Sequence, residues 1–399
     1  MLLLKYVAAV SSLVCLATVT PGRADAALPT VPSGFRIDVV AQIAGPRELV
    51  ALPDGNLIVG TSGSDVYVLP NSEGATPGTP SVFATADDEL ASGVAFSARH
   101  KEIYIATNAH VWATRYVAGR KRAGALHSIA KVRTGPIAPH SDGDVHKTTS
   151  LAFSDASDIL YIGVGSSCNS CVEVDPTRAS ILTLPGGKGA LHKVATHIRN
   201  AIAMTISPGN ALWVGDAGQD DLPFGHPFEF LDDVTSHTPV ADYGWPFCEE
   251  NHIPYTASGI NCNATVAPLA ELPGYSTIIG AIFYPTGSAG RYTFPARYRG
   301  ALFAAAHGSW HTTGSGGYAA APQVAVFAMH GDQPATPVDW QNSSAQWRTF
   351  VGGFQSGMQR IGRPTGLAIG NEGSLFVADD AAGVIYRVRP NKSLERTTN

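Results

Sequence analysis

Arg47-Glu-Leu-Val-Ala-Leu-Pro-Asp-Gly-Asn-Leu-Ile-Val-Gly60 reads as a short apolar strand, a turn at Pro53-Asp54-Gly55, and a second apolar strand ending in a small residue. Proline presets the backbone at the start of such a turn, and glycine tolerates the positive φ at its end. The figure returns near the C-terminus as Arg363-Pro-Thr-Gly-Leu-Ala-Ile-Gly-Asn-Glu-Gly-Ser-Leu-Phe-Val-Ala-Asp379. Between them lie Gly93-Val-Ala-Phe-Ser with Glu102-Ile-Tyr-Ile-Ala, and Thr149-Ser-Leu-Ala-Phe with Ile159-Leu-Tyr-Ile-Gly-Val. Asn200-Ala-Ile-Ala-Met-Thr-Ile with Leu212-Trp-Val-Gly-Asp216 follows, and Tyr298-Arg-Gly-Ala-Leu-Phe-Ala-Ala305 is a looser sixth copy. Repeats spaced by roughly 45–65 residues suit blades of about four strands. One such unit cannot bury both faces, so the units must stack, and closing the ring protects their edges. Six copies predict an all-β chain folded as a six-bladed β-propeller. Two β-sandwiches sharing turn chemistry are the alternative.

Composition agrees. Of 399 residues, 44 % are hydrophobic and only 15 % charged, with 42 Gly and 27 Pro. Few charges and many turn-formers favour short strands over long amphipathic helices. The net charge of −5 and the lack of a basic stripe argue against nucleic acid as a partner.

Residues 1–26 read as a signal peptide. Lys5 precedes an uncharged apolar stretch from Tyr6 to Thr20, and Ala24-Asp25-Ala26 fits a small-x-small cleavage site. The propeller is expected over 27–390 and a disordered polar tail over 391–399. No later segment is long and apolar enough to span a membrane, so a secreted or periplasmic protein is expected. Cys15 would leave with the signal. Cys168, Cys171, Cys248 and Cys262 remain, an even number that suggests two disulfides in an oxidising compartment. The close pairs are the natural choice among three connectivities, and a zinc site at Cys168-Asn-Ser-Cys171 is the competing reading. The interval from Asp221 to Phe294 is too long for one ordinary connection and is expected to carry a loop insertion with Cys248 and Cys262.

Four clusters could carry chemistry: Gly143-Asp-Val-His146, His197-Ile-Arg-Asn200 with Gly215-Asp-Ala-Gly-Gln-Asp-Asp221, Asp242-Tyr-Gly-Trp-Pro-Phe247, and His307-Gly-Ser-Trp310 with Arg363-Pro364. Arg47, Arg199 and Arg363 each open a blade, so their guanidiniums could converge at one mouth and bind a small polycarboxylate. Alternatively each pairs with an Asp or Glu of a neighbouring blade. His146 precedes a strand in the same register and is a candidate general base, although a lone histidine is more often structural. The run Gly215–Asp221 offers acidic side chains and backbone carbonyls, hard ligands for Ca²⁺; a solvated acidic turn reads equally well.

Taken together, these segments resemble the soluble quinoprotein glucose dehydrogenase/sorbosone dehydrogenase superfamily. The resemblance runs from about Pro32 to Pro390. It is carried by Leu52-Pro-Asp-Gly-Asn-Leu, by His146 with Ser150-Leu-Ala-Phe, by Leu160-Tyr-Ile-Gly-Val-Gly-Ser-Ser-Cys-Asn169, and by Arg199-Asn200 with Leu212-Trp-Val-Gly-Asp-Ala-Gly218. Tyr243-Gly-Trp-Pro246, Phe294-Pro with Tyr298-Arg-Gly, His307-Gly-Ser-Trp310 and Gly362-Arg-Pro-Thr-Gly complete it. The Gly-Ser-Ser-Cys-Asn and His-Gly-Ser-Trp segments are closer to the sorbosone-dehydrogenase-like branch. The resemblance implies a propeller that binds pyrroloquinoline quinone (PQQ), a planar tricarboxylate, and Ca²⁺ at one mouth. His146 matches the base that takes a sugar hydroxyl proton while hydride passes to the quinone. Arg199 matches the residue beside the reactive quinone oxygen, with Asn200 next to it; Arg363 matches a carboxylate-binding arginine. Gly218 and Gln219 match the Ca²⁺-binding carbonyls, Gln219 replacing a proline. Arg47 is added on blade register alone. Blade five departs from the pattern: His311-Thr312 stands where many relatives carry Asn-Arg, and the lysine that clasps PQQ in glucose dehydrogenases has no match.

The expected activity is therefore oxidation of a sugar, sugar aldehyde or polyol by a PQQ- and Ca²⁺-dependent dehydrogenase that passes electrons to an external acceptor. A non-catalytic carbohydrate- or protein-binding propeller with a degenerate cofactor site is the alternative. A calcium-dependent lactonase-type propeller is another.

Overall fold

The computed structural model describes residues 27–135, 146–222, 225–255, 259–287, 289–313 and 317–391. The signal-peptide stretch 1–26, the Gly143-Asp-Val145 part of the first cluster, and 392–399 lie outside the described residues. Six antiparallel sheets form six blades around one axis. Blade 1 is Pro46–Ala51, Leu57–Thr61, Asp65–Leu69 and Ser81–Thr85. Blade 2 is Gly93–Ser97, Glu102–Ala106, His110–Arg115 and His127–Lys131. Blade 3 is Thr149–Ser154, Ile159–Val164, Ser180–Pro185 and His192–Thr196, with Ala241–Asp242 added in parallel at its edge. Blade 4 is Ala201–Ile206, Leu212–Asp216, Glu229–Asp233 and Ala270–Leu272. Blade 5 is Ile278–Phe283, Leu302–Ala306, Gln323–Phe327 and Trp347–Val351.

Blade 6 closes the ring. Its inner strands are Pro364–Ile369, Leu375–Asp379 and Val384–Pro390, and its outermost strand is the N-terminal Phe35–Gln42, paired from Phe35↔Pro390 to Gln42↔Val384. Chain start and chain end thus share one sheet, and no blade is left open at the closure. The pairing continues past the strand, where the Asn391 N–H donates to Gly34 O.

Each of the six principal apolar clusters lies between two successive blades. The one between blades 5 and 6 is the richest in rings, with Phe35, Tyr284, Phe294, Phe303 and Phe350 in mutual contact. Phe294 and Tyr298, which helped carry the family resemblance, serve this packing rather than the mouth. The small residues of the repeat have a physical reason. A Cβ on Gly163, Gly280 or Gly366 would stand 2.1 Å from the main-chain oxygen of Ala201, Thr365 or Arg47, each on the next blade. Adjacent blades therefore touch backbone to backbone near the axis, as only glycine permits.

The inner strands line a channel of about 240 Å³. Glu48 lies in it and accepts from the N–H of Val94 on blade 2 at 2.9 Å and of Leu151 on blade 3 at 3.3 Å. Burial raises its carboxyl from 4.5 to about 8, against the hydrogen bonds from Val94, Ser150 and Leu151 and the charge of Arg47. Between those values the folded chain keeps a proton that the unfolded chain has released, so stability falls as pH rises through this window. Glu48→Gln, which mimics the protonated side chain, is expected to flatten that fall. Urea denaturation of both chains at pH 5 and pH 8 checks it; equal losses would place the proton elsewhere.

Both close cysteine pairs are disulfides, Cys168–Cys171 and Cys248–Cys262. The first excludes the zinc reading, since both thiols are consumed. The second lies in an insertion between the third and fourth strands of blade 4. The long interval noted in the sequence is therefore partly insertion and partly blade: Ile278–Phe283 within it is the inner strand of blade 5.

Candidate functional site

Inner strands all begin, and second strands all end, at the same end of the propeller. The residues just before 149, 201 and 364 and just after 106, 164, 216, 306 and 379 are therefore brought to one mouth. The local device recurs. Asp216, closing the second strand of blade 4, accepts from the N–H of Asn200 at 2.6 Å; Asp379, its counterpart in blade 6, accepts from the N–H of Arg363 at 2.8 Å. Each aspartate fixes the backbone at which an arginine-bearing strand starts.

On blades 3 and 4, Arg199 is the hub. Its guanidinium, only 3 % exposed, donates to Asn169 O and Oδ1, to Ala217 O, to Gly218 O at 2.6 Å, and to Asp220 Oδ2 at 3.1 Å. Asp220 also faces His311 Nε2 at 3.1 Å. Trp310, 62 % exposed, lies over the His311 ring at 3.8 Å. Arg178, which sequence reasoning missed, donates to Gly165 O, His146 O and Ser166 O and so ties the two segments carrying the histidine and its partner. Nothing in Asp-Pro-Thr-Arg178 signals this, because its partners are backbone oxygens reached only in the fold.

His146 Nδ1 is 2.8 Å from Ser166 Oγ, and Ser166 Oγ donates to Cys168 O at 2.6 Å. A carbonyl can only accept, so the single hydroxyl proton is committed to Cys168. Ser166 must then accept from His146, which places the imidazole proton on Nδ1 and leaves the lone pair on Nε2. Burial, reinforced by the charges of Arg199 and Arg178, holds the imidazole pKa well below 6.5, so the ring is neutral at pH 7. Space here is tight: a Cβ on Gly165 would meet His146 Cβ at 2.4 Å and Asn200 Oδ1 at 2.5 Å. Gly165 thus packs closely against both His146 and Asn200.

On blades 5, 6 and 1 a second cluster forms. Arg47 Nη1 pairs with Asp380 Oδ2 at 2.7 Å, and His307 Nε2 lies 2.8 Å from Asp380 Oδ1. Burial drives His307 down to about 4, so it is neutral and donates Nε2–H to the carboxylate. Arg363 donates to His307 O and to Gly308 O at 2.6 Å. Arg360, absent from the sequence reading, sits over the Tyr318 ring and donates to Ser309 O; burial, with the charge of Arg360, lowers the Arg363 pKa to about 10. It comes from the hairpin strands Gln355–Ser356 and Gln359–Arg360 and brings a cation to the blade-5 loop that lacks the expected lysine. The loop 307–311 joins the two clusters, His307 reaching Asp380 and His311 reaching Asp220.

Both readings of the arginines are thus partly realised. Arg47 pairs with a neighbouring blade's aspartate, Arg199 with its own blade's Asp220, and Arg363, among the described residues, is held by the carbonyls of His307 and Gly308. At the proposed metal position, Gly218 O already accepts from Arg199, and Gln219 Oε1 is buried with no hydrogen-bond partner among the described residues. Glu229, Asp216 and Asp220 surround this point. Burial raises Glu229 to about 8, helped by Asp216 and Asp220, and raises Asp216 to about 7. An orphaned oxygen among crowded carboxylates fits a hard cation. His197 and Asp242 pair with each other at 2.8 Å on half-exposed side chains. Tyr243 donates to Asp232, and Trp245 covers the Cys168–Cys171 disulfide. The third cluster is therefore structural.

Residues 232–391 match the TrAA12-like family model. An uncharacterized protein of Borreliella burgdorferi is 22 % identical over 368 residues, covering 90 % of each chain. The holo form of the pyranose dehydrogenase PQQ domain from Coprinopsis cinerea superposes with a TM-score of 0.74 at 18 % identity, covering 91 % of this chain and 97 % of that one. A calcium structure of the Trichoderma reesei carbohydrate-active enzyme family AA12 protein gives 0.74 at 18 %, covering 94 % and 100 %. The apo form of the soluble aldose sugar dehydrogenase of Escherichia coli gives 0.60 at 16 %, covering 90 % and 100 %. None of these singles out the sorbosone-dehydrogenase-like branch. The chain thus shares its propeller fold with these proteins, and residues 232–391 match the TrAA12-like model in sequence.

Proposed function

We propose that this protein is an exported PQQ- and Ca²⁺-dependent dehydrogenase of sugars or related polyols, with His146 as its general base and a separate protein or dye as electron acceptor. The observation that carries the reading is the neutral His146 with its Nε2 lone pair, in the same mouth as Arg199 and Arg363. A base must be unprotonated at working pH and within reach of the proton it takes. A planar tricarboxylate needs cations on several sides, and Arg363, Arg360, Arg47 and Arg199 supply them from blades 6, 1 and 4 and the hairpin before blade 6. Asn200 adds an amide beside His146. Gly218 and Gln219 would hold Ca²⁺ through their backbone carbonyls, with the buried Gln219 Oε1 as a further oxygen. When bound, the quinone supplies the two-electron acceptor and the cation makes it more electrophilic.

The chain's own part follows from its geometry. His146 Nε2 would take the proton of the sugar hydroxyl that is oxidised. Arg199, held rigid by acceptors that include Asn169, Ala217, Gly218 and Asp220, provides fixed positive charge where negative charge develops, without reorganising. Trp310 offers an exposed ring at the rim on which a sugar face can stack. Two disulfides suit an oxidising compartment, in line with a secreted or periplasmic location. Equilibrium titration with PQQ, followed by absorbance in the presence and absence of Ca²⁺, tests the cofactor assignment. Saturable one-to-one binding, weakened at least tenfold by Arg363→Ala, is expected. Absence of binding to the parent chain would overturn it and favour a binding module with a degenerate site.

A further inference from the structure

Among the described residues, seven histidines face carboxylates: His100, His110, His197, His226, His237, His307 and His311. His146 faces a hydroxyl instead. The difference has a chemical consequence. A carboxylate beside an imidazole orients it but also raises its pKa, whereas a neutral hydroxyl orients without adding charge.

The hydroxyl is itself held. Ser166 is fully buried, and its proton goes to Cys168 O, the first carbonyl of the turn closed by Cys168–Cys171. The next residue, Asn169, serves the other half of the site. Its O and Oδ1 both accept from Arg199, its Oδ1 also accepts from the N–H of Asp220, and its Nδ2 donates to Asp220 O. The same turn is pinned from behind, where Ser167 N–H and Oγ donate to Glu173 at 2.6 and 2.7 Å and Trp245 packs over the sulfurs. Two consecutive residues thus terminate two polar chains, one leading to the imidazole and one to the guanidinium.

We propose that Ser166 is a positioning residue that fixes His146 in its Nδ1–H tautomer, and that the disulfide-closed turn Cys168–Cys171 holds this hydroxyl in register by taking its proton. The inference deepens the assignment of His146 as base and rests on it for its kinetic consequence, but not for its structural one. Without the hydroxyl acceptor no other described residue selects Nδ1–H over Nε2–H, and molecules in the second form present a donor where a base is needed. Among the described residues, the charged groups facing the ring are Arg199 and Arg178, and neither can accept a proton.

The test has two readouts. In the protein free of cofactor, selectively ¹⁵N-labelled histidine reports the tautomer of His146 directly. The parent chain is expected to show Nδ1–H alone, Ser166→Ala a mixture, and Ser166→Thr, which restores a hydroxyl, Nδ1–H again. In the PQQ-loaded protein, Ser166→Ala is expected to lower kcat about tenfold or more with KM for the sugar little changed, and Ser166→Thr to recover it. Ser166→Asp is expected to move the acid limb of the pH–rate profile to higher pH, because a carboxylate stabilises the imidazolium. A single Nδ1–H tautomer in Ser166→Ala overturns the proposal whatever the activity. A mixed tautomer with unchanged turnover would uphold the positioning role and instead remove His146 as base. Cys168→Ser/Cys171→Ser should show the same mixture, and an unmixed tautomer there overturns the part given to the turn.

Discussion

His146→Ala is expected to lower kcat by about 10²–10⁴-fold, the usual contribution of a positioned general base, while PQQ remains bound. The fold should tolerate the change. Ser166 keeps its proton on Cys168 O whether or not the imidazole is present, so removing the ring strands no buried donor. The parent pH profile carries a matching expectation. The base works unprotonated, and burial with Arg199 and Arg178 holds its pKa well below 6.5. For the free enzyme, kcat/KM should stay level from neutral pH down through the ordinary imidazole range and fall only in more acid solution. An acid limb centred at 6.5 or above would mean that His146 is more exposed, or paired differently, than described. Stopped-flow dye reduction on the loaded variant separates the outcomes: turnover within tenfold of the parent would end the base assignment.

Arg199→Ala is expected to be the most damaging change for stability and cofactor binding together. Among the described residues its guanidinium, only 3 % exposed, satisfies three backbone oxygens, the Asn169 amide oxygen and the Asp220 carboxylate. Breaking a buried ion pair by removing one partner costs about 3–5 kcal/mol, because the other charge is left uncompensated. Here that charge is Asp220, whose remaining partner is His311. PQQ affinity should fall by at least a hundredfold, since a fixed cation and the geometry of Asn169 are lost together. Arg199→Lys should recover part of the stability but little of the binding, because an ammonium cannot span that fork of acceptors. Urea denaturation and PQQ titration read the two effects separately. Unchanged affinity would move Arg199 out of the cofactor site and leave it a structural hub.

The ring was legible because each blade repeats a strand–turn–strand figure with local turn chemistry. Blade 5 was the weak copy for a definite reason. Its inner strand Ile278–Phe283 is followed not by a tight turn but by the stretch to Leu302, which contributes Tyr284, Phe294 and Tyr298 to the neighbouring core. The local figure is therefore split, and only its second half stood out. At the mouth, residues that open strands were visible because register repeats: Arg47, His146, Arg199 and Arg363 could be placed from their spacing to the strand pattern. Their partners could not. Arg47 meets Asp380 across 333 positions of chain, and only ring closure makes them neighbours. Arg360 lies on a short hairpin outside the repeat, and Arg178 and Ser166 act through backbone oxygens, which leave no trace in residue type.

The central claim is that this mouth binds PQQ with Ca²⁺ and oxidises a sugar hydroxyl. The chain from residue 27 onward, reconstituted with PQQ in the presence and absence of Ca²⁺, should be assayed by dye reduction against aldoses, sorbosone and polyols. Turnover with at least one sugar, dependent on PQQ, enhanced by Ca²⁺ and abolished in His146→Ala, is the predicted result. PQQ bound in the mouth with no turnover on any of these substrates, or turnover that survives without PQQ, would contradict it.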